Sequence, residues 1–446
     1  MDLLLDEDIY TNDIQYFFSL HGLRFEHMNT MMAESLSKRY GGEFREISVL
    51  NAWPSEAYRR ANYIILNEQG YKLADELSKR VVYLPDYEDV NVEFCNSPEV
   101  AEITQKLLGK QKQVFVFPFT TSFLEPNLPG IVVLGPDAKI ARELDSKVNQ
   151  TKLFMQLGLP YNEARIFESE ADIIDHAESL VPGYISAAYT SGGAESGLIY
   201  TTEMLHAFLA NLRAINKENS FVVSKIFEDI VLAPNVNALV TAEGEVYTLM
   251  IADQTLHGNR YLGNMYPTVA SDHHIRKIKE ITNIIGKYLA GRGYKGLFGC
   301  DFLINAHDEL VMVDLNPRHQ GGYVCNALAL GKKDINLTDL ELAALNDEAV
   351  NLNQEQLDTN LDFSWGHSKL MPSETGSKII GEYTKNNILM PFSSIGESFV
   401  TEFYEKESVF VSGYIGYQVQ TGTTRAEVEK KMLEVHTDFD AQVLGL

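Results

Sequence analysis

Over the first 135 positions, apolar residues fall into short runs separated by helical patterns: Tyr63 to Leu66, Val81 to Leu84, Val114 to Phe117 and Ile131 to Leu134. That spacing predicts an α/β layer on a parallel sheet. Asp145 is then placed to cap a helix through Val148, Phe154 and Leu157, which Gly158 and Pro160 stop. The pattern becomes strand-rich, with a small-residue loop at Ser191 to Gly197 and apolar runs at Phe221 to Phe227 and Val246 to Ile251. Ile275, Ile278, Ile281, Ile285 and Leu289 recur at helical spacing and predict a helix from His273 to Ala290, ended by Gly291 and Gly293. Leu297 to Ile304 and Leu310 to Leu315 flank the polar turn Asn305 to Glu309 and predict a hairpin. Beyond about residue 340 the chain is more polar, with a strand near Val409 to Val419 and a last helix opened by Thr424 and Glu427 at capping-box spacing.

Composition changes this picture little. The chain has 446 residues, 45% of them apolar and 22% charged, which is enough for packed cores and for roughly three domains at about 150 residues each. The charge changes it more. With 37 basic and 62 acidic residues the net charge is −25, and such a surface repels phosphate backbones and anionic lipid, so neither nucleic acid nor a membrane is expected as a partner. No apolar run approaches the roughly 18 residues of a spanning helix. MDLLLDEDIY lacks the basic start and long apolar core of a secretory signal, and a cytoplasmic protein is expected. Cys95, Cys300 and Cys325 are too scattered for a disulfide framework or a cysteine metal site. None of the early strands leads into G-x-G-x-x-G, which argues against a nicotinamide-dependent dehydrogenase.

The hairpin concentrates the candidate chemistry. Alternation puts Leu310, Met312, Asp314 and Asn316 on one face of its second strand and Val311, Val313 and Leu315 on the other. If the turn closes symmetrically, Asp301 on the first strand comes close to the level of Asp314. Two carboxylates and an amide oxygen then converge, a set suited to Mg²⁺ shared with substrate phosphates. Arg318, two residues past Asn316, offers a planar fork for phosphate or carboxylate. An Asp on a strand is usually just solvated, but Asp is disfavoured in strands, and here two interrupt strongly apolar ones. The dense polar run Asp314, Asn316, Arg318, His319 and Gln320 tips the balance toward a metal site.

These residues resemble a family. GLFGCDFLINAHDELVMVDLNPRHQGG is similar to the metal-binding core of the ATP-grasp superfamily, and LGPDAKIARELDSKVNQTKLFMQLGLP resembles the segment that leads into that fold. Motifs in the family's order cover roughly residues 130 to 325. The resemblance implies an ATP-grasp fold of mixed α/β and α+β class. A Rossmann-like pre-ATP-grasp domain would occupy residues 1–140, nucleotide-binding lobes 141–335, and an α+β region completing the cleft 336–446. VSGYIGYQVQTGTTRAEVEKKM resembles the closing strand, turn and helix of the branch that holds amino-acid ligases and biotin-carboxylase-like enzymes. The matching residues imply roles: Lys147 on the nucleotide phosphates; Ser191, Gly192, Gly193 and Gly197 in a mobile loop over them; Ser224, Lys225 and Phe227 at the adenine; Asp301, Asp314 and Asn316 on the metal; Arg318 on the transferring phosphoryl group. One position departs from the family. The strand before the glycine-rich loop, Tyr184 to Ala188, has no lysine, and Lys225 is the candidate substitute, weighed against an ordinary surface lysine.

The activity implied is that of an ATP- and Mg²⁺-dependent carboxylate–amine ligase. It would use two metal ions, with Mn²⁺ as an alternative, and act on small-molecule carboxylate and amine substrates, an amino acid or peptide among them. A homodimer is compatible with this. A non-catalytic ATP-binding sensor and biotin-carboxylase-like carboxylation stand as alternatives. Asp253, Gln254, His257, Arg260, Tyr261 and Asn264 are expected to help shape the acceptor pocket, and His273 and His274 to be solvent-exposed.

Overall fold

The computed structural model describes residues 13–20, 26–50, 62–65, 90–190, 195–214, 220–258, 260–370, 400–401 and 416–444. The expected strand at Val81 to Leu84, the loop residues Ser191 to Gly193 and the start of the Val409 to Val419 run lie outside them. Among the described residues no helix is long and apolar enough to cross a membrane.

Five strands, β1 (Gln15–Leu20), β2 (Phe44–Leu50), β3 (Asn62–Ile65), β4 (Val114–Pro118) and β5 (Ile131–Val133), form a parallel sheet in the order β3-β2-β1-β4-β5. Phe17 faces Met28, Met32 and Leu36 of the Glu26–Tyr40 helix, while Phe18 faces Phe94 and Val100 of the Val90–Asn96 and Pro98–Leu108 helices. With both faces covered, β4 reads as an unbroken apolar run rather than an alternating one, and β1 is buried from Tyr16 to Leu20.

A four-stranded antiparallel sheet follows: β6 (Ala164–Phe167), β7 (Gly183–Ala187), β8 (Ser196–Ile199) and β9 (Phe221–Ser224), in the order β6-β9-β7-β8. The Thr202–Ala214 helix covers it through Leu205, Leu209 and Leu212.

The remaining strands form one nine-stranded sheet: β10 (Ile230–Leu232), β11 (Pro234–Val240), β12 (Val246–His257), β13 (Arg260–Tyr266), β14 (Gly296–Asn305), β15 (Leu310–Asn316), β16 (Ser364–Leu370), β17 (Val400–Thr401) and β18 (Gly416–Gly422). The order is β10-β14-β11-β12-β13-β16-β18-β17, with β15 on β14. One face packs on Ile278, Ile281, Ile285 and Leu289 of the Asp272–Gly291 helix. The other shares its apolar cluster with β1, β4 and the Tyr323–Gly331 helix, from Phe17 and Phe117 to Trp365.

The structure corrects several local expectations. Asp145 ends the Ala138–Asp145 helix, and Ser146 caps the next one, Lys147–Leu157, by accepting from the Asn149 amide. Asp145's carboxylate instead accepts from the Ser122 hydroxyl. His274 is buried inside its helix, where Nδ1 meets the Ser271 hydroxyl at 3.0 Å. Glu427 reaches back to the amide of Thr423 rather than that of Thr424, a capping box displaced by one residue.

Candidate active site

Lys147 is the first residue of its helix, where the helix dipole disfavours a cation unless an anion lies opposite. That anion is Asp314, whose Oδ1 forms a close ion pair with Lys147 Nζ. One turn on, buried Gln150 fixes the register. Its Oε1 accepts from the Leu315 amide at 3.1 Å, and its Nε2 donates to the carbonyls of Leu315 and Leu144, both at 2.7 Å. The Lys147 amide donates to the Ala188 carbonyl at 2.7 Å and ties this helix to the end of β7.

On the hairpin, strict alternation fails at one position. Asp301 pairs with Asp314 but Phe302 pairs with Met312, so Val313 is an extra residue, a β-bulge. Met312 therefore turns to the core with Leu310 and Leu315, against the expectation that it would share a face with Asp314. The bulge also moves Asp314 into the place directly opposite Asp301, which symmetric closure alone would have given to Val313.

Asp301 is held by amides. Asn235 Nδ2 and Gln320 Nε2 donate to Oδ1 at 2.5 and 3.1 Å, and Asn316 Nδ2 donates to Oδ2 at 3.1 Å. Gln320 reaches this position over Gly299, where any Cβ would lie 1.9 Å from Gln320 Oε1. Burial, and then the charge of Asp314, push the Asp301 carboxyl up to about 6, against the smaller opposing effects of Asn235, Lys147 and Arg318. Asn235 and Gln320 were not among the residues singled out for the metal. Asn235 is on β11, and only the sheet register shows that it faces Asp301.

Arg318 lies above the N-terminal sheet, its guanidinium 5.2 Å from the Phe119 ring centre. Its Nε is 3.6 Å from Asp145 Oδ1, and one terminal nitrogen donates to the His319 carbonyl at 3.0 Å. Lys147, Arg318, Asp145, Asp301, Asp314 and Asn316 thus form one charged group at the junction of two helices and the hairpin. Gly197 and Ser224 sit on β8 and at the end of β9. Phe227 follows β9 and is partly buried. Lys225 is not drawn into the group: its side chain is 70% exposed and pairs with Glu163. Of the residues expected to shape the acceptor pocket, Asp253 is committed elsewhere, to Thr268, the Val269 amide and Arg425. Tyr261 instead donates to Asn264 Oδ1 beside Gly321 and Gly322.

No cluster of three His, Cys, Asp or Glu able to hold a metal occurs among the described residues. Two carboxylates with one amide oxygen suit a hard cation that keeps most of its shell as water and phosphate oxygens, and the donor set fits Mg²⁺ or Mn²⁺. Lys147 supplies the balancing positive charge at Asp314.

A parallel α/β sheet, a small antiparallel sheet and a large mixed-order sheet thus surround an acid, amide and lysine site. Residues 207–322 match the ATP-grasp domain family. The L-propargylglycine–L-glutamate ligase of Streptantibioticus cattleyicolor is 27% identical over 124 residues, 28% of this chain and 25% of that protein. The [butirosin acyl-carrier protein]–L-glutamate ligase of Niallia circulans is 23% identical over 234 residues, 51% of this chain and 55% of that one. The chain thus spans about half or less of the length of these relatives. Among solved structures, the biotin carboxylase–βγ-ATP complex of Campylobacter jejuni has a TM-score of 0.65 at 14% identity, covering 94% of this chain and 90% of that one. Carboxyaminoimidazole ribonucleotide synthase of Aspergillus clavatus, complexed with ATP, has a TM-score of 0.62 at 14% identity, covering 97% and 99%. The ATP-grasp match thus covers residues 207–322, and the chain as a whole shares its fold with these solved structures.

Proposed function

We propose that the protein is an ATP-dependent ligase that joins a substrate carboxylate to an amine, with an amino acid as at least one substrate. The carboxylate oxygen attacks the γ-phosphorus of ATP as the bond to ADP breaks, giving an acyl phosphate. The amine nitrogen then attacks the acyl carbon, phosphate leaves with the electron pair of the C–O bond, and the amine proton passes to solvent. Both relatives named above carry L-glutamate in their names, which makes L-glutamate the first substrate to try.

The observation that carries this reading is the facing pair Asp301 and Asp314 with Lys147 on one side and Arg318 close by. Phosphoryl transfer is chiefly positioning and charge neutralisation. Magnesium held at Asp301, Asp314 and Asn316 would neutralise charge on the transferring phosphate. Lys147 exchanges Asp314 for nucleotide phosphate, and Arg318 exchanges Asp145 for the transferring group. The nucleotide-sensing alternative rests on one observation, that β7 carries no basic residue.

ADP release in the presence of MgATP, L-glutamate and pooled amino acids, with mass spectrometry of the products, tests the proposal. An amide product with stoichiometric ADP is expected. Nucleotide binding without turnover in every pool would favour the sensor. Asp314→Asn is expected to lower ADP formation by roughly 100-fold or more with the fold intact; retention of most activity would remove Asp314 from the metal site.

A further inference from the structure

Behind Arg318 lies a buried polar group that the chemistry above does not use. His319 is 4% exposed and Glu341, from the Leu337–Leu345 helix, 1% exposed. His319 Nε2 meets Glu341 Oε1 at 2.8 Å, and the Tyr323 hydroxyl donates to Glu341 Oε2 at 2.8 Å. The imidazole stacks on Tyr323, with centroids 4.3 Å apart and planes 17° apart, and meets the Phe117 ring at a steep angle.

His319 also bonds to the end of β4 and to Arg318. Its amide donates to the Phe119 carbonyl at 3.3 Å, and Nδ1 lies 3.2 Å from the Pro118 carbonyl. A carbonyl only accepts, so Nδ1 carries a proton. The His319 carbonyl holds the Arg318 guanidinium, and Phe119 lies against the same guanidinium. A small cavity of about 10 Å³ lies at this point, lined by Phe119, Thr121, Gly135, Arg318, His319 and Glu341. It has room for about one water. Truncating His319 or Glu341 would merge their volume with it and let Arg318 sink away from the cleft.

We propose that His319 and Glu341 are positioning residues: with Tyr323 they lock the turn after β15 against the end of β4 and thereby hold Arg318 at the site of the terminal phosphate. The proposal rests on the nucleotide reading given above. It predicts which substitution is tolerated. In Glu341→Gln the amide nitrogen donates to Nε2 and the amide oxygen accepts from Tyr323, so geometry survives the loss of charge. In Glu341→Ala neither bond survives.

The test is calorimetric affinity of the full chain, with Mg²⁺ present, for ADP and for β,γ-imido-ATP. Arg318 addresses the terminal phosphate, so His319→Ala and Glu341→Ala are expected to lower the preference for the triphosphate about tenfold, the scale of one charge-assisted hydrogen bond. ADP affinity should stay within about twofold, and Glu341→Gln should keep the wild-type preference. Adding His319→Ala to Arg318→Ala should cost nothing further, because the two act as one unit. An unchanged preference in both alanine variants, or a further loss when Arg318 is already absent, overturns the proposal. Should both alanine variants fail to fold, Tyr323→Phe carries the test, with a fall of about two- to threefold expected for the loss of one hydrogen bond and no fall overturning it. A wild-type protein that does not distinguish the two nucleotides would sink the nucleotide reading and this inference together. Normal discrimination with unaffected variants would sink the inference alone.

Discussion

Burial and the facing Asp314 push the Asp301 carboxyl up to about 6, so the folded chain holds that proton more tightly than the unfolded chain does. Between about pH 4 and pH 6 the unfolded state releases a proton that the folded state keeps, and stability falls as pH rises through that window. Above it the full cost of an ionised Asp301 remains until a cation arrives. Asp301→Asn should therefore raise the stability of the ligand-free protein at pH 7.5, by about 1 kcal/mol, and change it little at pH 3.5. Asn316 can turn its amide to suit the new side chain. The same variant should lose Mg²⁺-dependent stabilisation and activity. Thermal denaturation at the two pH values, with and without MgADP, reads both effects, and a destabilised variant at pH 7.5 would contradict the argument. At this scale the sequence is informative about residue type: two Asp in apolar strands, with Asn and Arg just beyond, mark the site. Their facing arrangement is less legible, because it depends on the bulge at Val313, which alternation does not anticipate.

Among the described residues strand β15 pairs with the one strand β14, and its outer edge is met by side-chain and loop groups, including a bridge from Tyr161 to Met312. Gln150 takes the amide and carbonyl of Leu315, and the Pro160 carbonyl takes the Met312 amide at 2.8 Å. These bonds set Lys147 and Asp314 side by side, so the helix and the hairpin are positioned by one amide side chain. Gln150→Leu would take this partner from three buried backbone groups, the Leu315 amide and carbonyl and the Leu144 carbonyl, and should cost about 1–3 kcal/mol in urea denaturation. It should also weaken MgATP binding, through Lys147; an unaffected nucleotide affinity would show that Lys147 finds its place without this clamp. Gln150 reads in sequence as one more polar helical position, since Leu315, which it clamps, lies 165 residues away. The strands and helices themselves were far more legible, because the Asp272–Gly291 helix and the β14–β15 hairpin each declare a period.

Across the whole molecule the nine-stranded sheet joins segments from residue 230 to residue 422, and its far end is fastened by an ion pair. Asp253, on β12, is 2% exposed and accepts from Thr268, the Val269 amide and Arg425, the first residue of the Arg425–Leu444 helix. Arg425 also donates to the Pro267 carbonyl at 2.8 Å. No local pattern could pair two residues 172 positions apart, and Asp253 read instead as a candidate for substrate contact. Removing the cation leaves a buried carboxylate with only neutral donors, so Arg425→Ala should cost about 3 kcal/mol. Replacing both partners, Asp253→Asn with Arg425→Met, should cost less than the single change, because no charge is then left buried. Denaturant unfolding gives both numbers. Proteolysis within residues 425–444 should accelerate in the single variant, since β13 and this helix pack together through Met265, Val428 and Met432 and lose their tether. The Lys147–Asp314 group lies outside this contact, so MgADP should still stabilise the variant as much as the wild type. A variant that has lost nucleotide binding as well would mean that the C-terminal helix reaches the grasp site through the sheet.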